Sequence, residues 1–418
     1  MSELKKCVET SALSPEYPYM PKEEWEGRIK KARVLMDKNG IDGLVILNEW
    51  SRTYYFGFEK LALPGFPMVA IVPKEGPTTF IALSFIAAVL QLSGYSERVV
   101  NLPFALPPLP NAPDGVSVVA EVIMDMGLDK KKLGVEMGIF GWNTGLTLGE
   151  WERLKSLLPK VKWVDSMNSV IWPQRKIKTQ WEQDVLTKLY NATCKGYFKG
   201  IEFAGPGVNE ADVFKEMLKV WIAEGIVESI TALNAPNVAR KISVGKYMDH
   251  ILKKGDCIFI DAGPTYKNYA TDCQRIVWIG DPGPKAREWA YAAEIAHSEL
   301  ESIIKPGTKY GDIWQKGHEV FARYLAKYFD DYWKMVRSPY WLNIVGHCVG
   351  FGVQEPPYIQ ENSPEILEPG MVVNVEFPAL DLEKGIIYNM PEDTYIITED
   401  GFKCLTFGLG PKGIYIKE

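Results

Sequence analysis

The stretch that decides the fold is IFIDAGPTYKNYATDC, which runs from Ile258 to Cys273. It places Asp261 at the end of an apolar run and Asp272 eleven residues later, beyond a predicted turn. Buried carboxylates are costly unless they are paired, hydrogen-bonded or bound to a metal ion. Two acids at the buried end of a predicted hairpin therefore require a chemical explanation.

Three more polar residues lie in apolar, strand-like contexts: His347 in NIVGHCVGFGVQEPP, Glu376 in GMVVNVEFPAL and Glu392 in IIYNMPEDTYIIT. One such residue alone is most often an edge residue or a salt-bridge partner. Four carboxylates in one predicted sheet, however, would repel one another strongly without a cation. One or two divalent metal ions would relieve that repulsion. Oxygen-rich ligands with one imidazole suit Mn²⁺, Fe²⁺, Co²⁺ or Zn²⁺.

The pattern on either side of these residues indicates two domains. Short apolar runs such as GLVIL and TTFIAL alternate with helical patterns such as SVVAEVIMDMG, which is typical of an α/β domain. We place this domain at residues 1–170. In residues 175–418, hairpins are gathered on either side of a long helical block. This arrangement predicts an α+β domain with helices packed on one face of an antiparallel sheet.

Composition excludes several classes of protein. The 418 residues carry a formal net charge of −6 and are 46% hydrophobic and 24% charged, as in a soluble globular enzyme. Mild acidity argues against nucleic acid as a partner. No window approaches about 18 uninterrupted apolar residues, so we expect no membrane partner. The six cysteines form no C-x-x-C pair and no signal peptide is recognisable, which predicts reduced thiols and a cytoplasmic protein.

The order and spacing of the five polar residues resemble the creatinase, prolidase and aminopeptidase P family, whose fold is called pita-bread. The two aspartates eleven residues apart, the Gly-His pair, EPGMVVNVE and EDTYIIT carry this resemblance. The segments QRKIK, PGVNEADVF and IIKPGTKYGDI also look like landmarks of the family. The resemblance implies a creatinase-like N-terminal domain, a pita-bread catalytic domain and a homodimer.

The resemblance also implies a role for each polar residue. Two adjacent metal ions would be held by Asp261, Asp272, His347, Glu376 and Glu392. Asp272 and Glu392 would bridge both ions, His347 and Glu376 would bind one, and Asp261 would bind the other. The ions would lower the pKa of a metal-bound water toward neutrality, so that it becomes the nucleophile. Glu376 would take part in catalysis.

The chain departs from the peptidases of this family at three positions. Gln354 stands seven residues after His347, where the peptidases carry a second histidine, and Arg240 falls where another histidine precedes the first aspartate. Met390 replaces an arginine often found there. Glutamine cannot act as an acid at neutral pH, whereas arginine suits a substrate carboxylate. We therefore expect that the metal ligands are retained, whereas the residues that contact the substrate differ from those of the peptidases.

Aromatic residues near these positions have two interpretations. Tyr54 lies in the aromatic run WSRTYYFGF, and Trp341 flanks the loop that carries His347. They belong either to the core and a subunit interface or to an aromatic cage that holds a quaternary ammonium or sulfonium group. In the second interpretation Tyr54, Trp341 and Gln354 line the substrate site, and Arg240 binds the carboxylate of a small zwitterion.

Three functions remain open. The first is hydrolysis of a C–N bond in a small peptide or amide-like compound. The second is a lyase reaction on a small zwitterion such as dimethylsulfoniopropionate, in which a carboxylate removes the proton α to the carboxyl group. The third is a catalytically silent binding protein, which the intact ligand set disfavours. The sequence favours the first.

Overall fold

In a computed structural model of the chain, the structure describes residues 2–58, 68–103, 113–137, 146–226, 229–236, 249–338, 343–377, 379–381, 386–409 and 412–418. The chain divides into two compact units, Met1–Arg175 and Lys176–Glu418. Among the described helices, none is both long enough and apolar enough to cross a membrane.

The N-terminal unit is built on a seven-stranded mixed sheet with the order β1-β5-β4-β3-β2-β6-β7. The strands are β1 (Val8–Ala12), β2 (Gly43–Ile46), β3 (Val69–Pro73), β4 (Thr79–Leu83), β5 (Ser96–Leu102), β6 (Lys132–Val135) and β7 (Lys162–Asp165). The helices are α1 (Lys22–Asn39), α2 (Glu49–Phe56), α3 (Ser84–Ser93), α4 (Gly115–Asp125), α5 (Leu148–Leu157) and α6 (Trp172–Lys176). Every residue of β2, β3 and β4 is buried, as in strands covered on both faces.

The second unit contains a larger sheet with the order β10-β9-β11-β17-β14-β12-β13, to which β8, β18 and β19 are added at β9, β17 and β11. Its strands are β8 (Ser229–Pro236), β9 (Cys257–Tyr266), β10 (Tyr269–Ala270), β11 (Gln274–Ile279), β12 (Ile344–Cys348), β13 (Glu355–Gln360), β14 (Val372–Glu376), β17 (Glu392–Ile397), β18 (Phe402–Cys404) and β19 (Tyr415–Lys417). A separate two-stranded sheet pairs β15 (Ala379–Asp381) with β16 (Ile386–Asn389). Apart from the parallel pair of β11 and β19, these strands pair antiparallel.

The helices of the second unit are α7 (Gln180–Phe203), α8 (Glu210–Ala223), α9 (Gly283–Glu301), α10 (Tyr310–Leu325) and α11 (Tyr332–Val336). Side chains of α9 and α10, among them Trp289 and Trp314, share one buried core with sheet residues such as Ile276 and Val373. The predicted fold class, an α/β unit followed by an α+β unit with an antiparallel sheet, is confirmed.

The predicted hairpin around Asp261 is present and has an irregular return strand. Lys267 and Asn268 both take left-handed backbone angles, with φ of 51° and 58°, and turn β9 into β10. Asparagine tolerates this conformation better than most residues. Gly263 is required by a close approach, because a Cβ atom there would lie 2.0 Å from the carbonyl oxygen of Thr271. The hairpin therefore brings residues 261 and 272 toward the same end of the sheet.

Candidate metal centre

Strand register brings carboxylates from three strands together. Gln274 on β11 pairs with Asp261 on one side and with Glu392 on the other. Glu392 in turn pairs with Glu376 across the β14–β17 ladder. Residues directly opposite each other in a sheet point to the same face. The register therefore places Asp261, Glu392 and Glu376 side by side, although the chain separates them by up to 131 residues (392 − 261).

The central group of the site joins Asp272, His347 and Glu392, whose potential ligand atoms all lie within 4.8 Å of one another. His347 Nε2 is 3.3 Å from Asp272 Oδ2. Burial raises the pKa values of Asp261 and Glu376, and both lie near enough to Asp272 for its charge to raise them further. All five predicted ligands are buried, with exposed fractions of 6% or less. The structure thus gathers the acids and the imidazole that the sequence analysis singled out.

Helix α7 holds the irregular segment that carries Asp272. Tyr190 and Tyr197 are seven residues apart, two helical turns, and so project from the same face of the helix. The Tyr190 hydroxyl accepts a hydrogen bond from the backbone N–H of Asp272 at 3.0 Å and donates to Thr394 Oγ1 at 2.9 Å. The Tyr197 hydroxyl accepts from the backbone N–H of Ala262 at 2.9 Å. These two phenols fix the backbone on both strands of the hairpin.

The buried carboxylates of the site need a positive charge to compensate them when they are ionised. Burial, reinforced by neighbouring carboxylates, holds the pKa values of Asp261 and Glu392 well above the usual range. Burial also raises the pKa of Glu376 to about 7, although His347 lowers it. Glu392 Oε2 is buried without a hydrogen-bond partner among the described residues. A divalent ion would neutralise the carboxylates and satisfy that oxygen, so the donor set fits the metal that the resemblance implies.

The raised pKa of Glu376 predicts that stabilisation by metal depends on pH. In the metal-free protein the folded pKa of about 7 exceeds the unfolded value of about 4.3, so the stability this group contributes is present below about pH 4 and is lost as pH rises through about 7. Metal binding needs the ionised carboxylate. The rise in Tm between chelated and metal-saturated protein should therefore increase from about pH 5 to about pH 8, as measured by thermal unfolding.

The matched variant for this measurement is Glu376→Gln, which cannot titrate. Its stabilisation by metal should be smaller and should change less with pH. An identical rise in Tm for the parent protein at every pH would contradict the assignment of the raised pKa.

Two buried carboxamides that the sequence analysis missed also lie in the site. Gln274 Nε2 donates a hydrogen bond to Asp261 Oδ2 at 3.1 Å, and Asn374 Nδ2 contacts His347 Nε2 at 3.0 Å. A signal was present for Asn374, which precedes Glu376 by two residues on the same strand, β14. Alternate residues of a strand share a face, so period-two spacing from Glu376 would have identified this amide. Asp272 lies outside the strands, and the place of Gln274 follows from its pairing with Asp261.

A buried ion pair flanks the site. Arg275 and Asp393 follow Gln274 and Glu392 in sequence, and Arg275 Nη2 lies 2.7 Å from Asp393 Oδ1. Arg275 Nη1 donates to the carbonyl oxygens of Gln274 at 2.8 Å and Glu392 at 2.9 Å. The guanidinium therefore links the two neighbouring strands at the residues that form the site.

The substrate residues predicted from sequence are more dispersed. Gln354 is exposed, whereas its neighbour Glu355 is buried, accepts from the backbone N–H of Gly352 at 2.9 Å and faces Lys178 at 3.6 Å. Arg240 and Trp341 lie outside the described residues. The structure gathers the predicted ligands but does not bring Gln354 into their buried group.

Tyr54 belongs to the N-terminal unit, where it is 1% exposed. The guanidinium carbon of Arg28 lies 4.1 Å from the centre of its ring, and Tyr55 packs edge-on against it. Phe56 and Phe58 in the same run are also buried and pack against Phe80. This packing favours the core interpretation of the aromatic run over the cage.

A two-domain pita-bread fold with buried acids and an imidazole is typical of metal-dependent hydrolases. Residues 187–402 match the sequence model of Metallopeptidase family M24, and residues 28–177 match the Creatinase/Prolidase N-terminal domain. The chain therefore belongs to metallopeptidase family M24, and the predicted family is confirmed.

Several known proteins are similar over almost the whole chain. "Uncharacterized peptidase YqhT" of Bacillus subtilis is 25% identical over 392 residues, which cover 93% of this chain and 99% of that protein. The Xaa-Pro dipeptidase of Pyrococcus horikoshii is 25% identical over 384 residues, covering 91% and 96%. The solved prolidase from Thermococcus sibiricus has a TM-score of 0.77 at 20% identity, covering 94% of this chain and 99% of that one. The solved structure supports the shared fold.

Proposed function

We propose that the protein is a metal-dependent hydrolase that cleaves a C–N bond in a small peptide or amide-like substrate. The observation that carries this proposal is the buried group of Asp272, His347 and Glu392, in which Glu392 Oε2 lacks a partner among the described residues. With Asp261 and Glu376 it would hold two divalent ions, chosen from Mn, Fe, Co and Zn. Asp272 and Glu392 lie centrally and are the proposed bridging ligands.

The metal ions and the residues of the site are proposed to have different roles in the reaction. When bound, the divalent ions would supply Lewis-acid polarisation of the substrate carbonyl and make a water molecule more acidic. Glu376 would accept a proton from the attacking water at its carboxylate and deliver it to the leaving nitrogen. Arg240 is proposed to bind a carboxylate of the substrate through its planar guanidinium. Burial of the ligands keeps bulk water from competing for these contacts.

The comparisons support a peptide as substrate. The relatives are called peptidase and Xaa-Pro dipeptidase, whereas no observation on this chain favours elimination from a sulfonium zwitterion. The silent binding protein is disfavoured because all five candidate ligands are present and buried. A homodimer and a cytoplasmic location are proposed with this function.

The test is a panel of dipeptides supplied to chelated and to metal-restored protein. We expect hydrolysis that requires metal and places solvent oxygen in the new carboxylate. Xaa-Pro dipeptides should be poor substrates, because Gln354 stands where the peptidases of the family carry a histidine. Loss of one hydrogen-bond donor to the transition state costs about 100- to 1000-fold in rate. A second-order rate constant of about 10⁴ M⁻¹s⁻¹ or more for Xaa-Pro peptides would refute that specificity.

Two variants at one position refine this test. Gln354→His should raise kcat/KM for Xaa-Pro dipeptides by at least about tenfold, because position 354 is proposed to face the bound substrate, where a histidine can act as acid or donor. Gln354→Asn, which keeps the carboxamide, should not. An alkene product that contains no solvent oxygen would show instead that the enzyme catalyses the lyase reaction and not hydrolysis.

A further inference from the structure

The carboxamide of Asn374 lies inside the proposed ligand group. Asn374 is fully buried on β14. Its Nδ2 is 3.0 Å from His347 Nε2 and 3.3 Å from Asp272 Oδ2, and it donates a short hydrogen bond to Glu392 Oε1. These three residues are the same three whose ligand atoms lie within 4.8 Å of one another. An N–H donor therefore points at the lone pairs that a metal ion would use.

The orientation of this amide is fixed by its other end. Asn374 Oδ1 accepts a hydrogen bond from the backbone N–H of His347 at 2.8 Å. Turning the amide over would place its NH₂ group against that N–H, so that two donors would face each other. The NH₂ group, with two hydrogens for three acceptors, must face the ligands.

The conflict with metal is sharpest at His347. Its Nδ1 lies 2.9 Å from the carbonyl oxygen of Cys348, which can only accept, so Nδ1 carries a hydrogen. A neutral imidazole then has a single lone pair, at Nε2. That lone pair cannot accept from Asn374 and bind a metal ion at the same time. If the ring is doubly protonated and Nε2 donates to Asp272, Nε2 has no lone pair and cannot bind a metal ion either. Carboxylate oxygens, with two lone pairs each, can serve both partners.

We infer that Asn374 competes with metal for His347, so that the ion bound by His347 enters second and more weakly than the ion held by carboxylates alone. The inference rests on the proposed dinuclear centre. Asn374 acts here as a positioning residue, because it holds the His347 lone pair until an ion displaces the amide. The chain would then carry one ion at limiting metal and complete its centre only at higher metal concentration.

A Co²⁺ titration of the full, chelated chain tests this inference without an activity assay. Bound Co²⁺ shifts the proton NMR signal of a ligating histidine, and the buried Nδ1–H of His347 is protected by Cys348. The shifted signal, assigned by its loss in His347→Gln, should appear in the parent with the second equivalent. In Asn374→Ala it should appear with the first. The Kd of that ion should fall about tenfold, which equals about 1.4 kcal/mol.

Asn374→Asp supplies a second variant in case the alanine variant does not fold. It keeps the oxygen that accepts from His347 N–H, but its other oxygen cannot donate. Because it adds a negative charge, Gln274→Glu is the matched control, which adds the same charge beside Asp261 and leaves the Asn374 amide in place. Only Asn374→Asp should advance the His347 signal to the first equivalent.

The outcomes separate this inference from the function on which it rests. If the parent shows the His347 signal with the first equivalent, or if both Asn374 variants bind that ion more weakly, the competition is wrong and the metal centre stands. If parent and variants bind no Co²⁺, the proposed function and the inference both fail.

Discussion

Asp272→Ala is expected to lose both metal ions and at least about 1000-fold in kcat/KM, since metal assistance contributes several kcal/mol to such reactions. Asp272 lies within 4.8 Å of the ligand atoms of His347 and Glu392, and its charge affects both Asp261 and Glu376. We propose that a carboxylate in this central position serves both ions, so its removal should dismantle the whole centre. Metal analysis of the gently purified variant, with kinetics on the best dipeptide, measures the effect.

The control is Asp400→Asn, which removes a carboxylate from an exposed turn where Asp400 Oδ1 accepts from Thr398 Oγ1 at 3.1 Å. It should keep full metal content and activity. Asp272→Asn is a second variant in case the alanine variant does not fold, because asparagine has nearly the same shape as aspartate. It should also release metal. Unchanged metal content in a folded Asp272→Ala protein would end the assignment of Asp272 as a bridging ligand.

Arg275→Met is expected to lower the free energy of unfolding by about 3–5 kcal/mol, because the buried Asp393 carboxylate loses its nearest cation, 2.7 Å away. Both partners of the pair are at most 1% exposed. Burial alone would raise the pKa of Asp393, but Arg275, His297 and Lys412 hold it at about 2. Urea unfolding measures the loss. The double variant Arg275→Met/Asp393→Leu should recover part of it, because neither charge of this pair then remains buried.

The dependence of this loss on pH has a defined sign. A lowered pKa contributes stability above the unfolded aspartate value of about 3.9 and loses it as pH falls toward about 2. The difference between the parent and Arg275→Met should therefore shrink on acidification. Arg287→Met is the matched control, because it breaks an exposed 3.0 Å pair with Asp281. Such pairs contribute about 1 kcal/mol or less. An equal loss in both variants would contradict the argument from burial.

The sequence by itself determined the fold class, the family and the residues that could bind metal. Strand periodicity made Asp261, Glu376 and Glu392 conspicuous, because each acid interrupts an apolar run. The turn at Lys267 and Asn268 could be placed for the same reason, since apolar runs flank polar residues there. These features are local, because the order of apolar and polar residues within one segment reflects which of its side chains are buried.

Only the tertiary structure decided which side chains meet. The register that sets Gln274 between Asp261 and Glu392 depends on pairing between residues far apart in sequence, which strand periodicity does not specify. The Arg275–Asp393 pair follows from that same register. The direction of the Asn374 amide depends on one backbone N–H, that of His347. A hydrogen bond needs both position and angle, and the folded backbone alone supplies these.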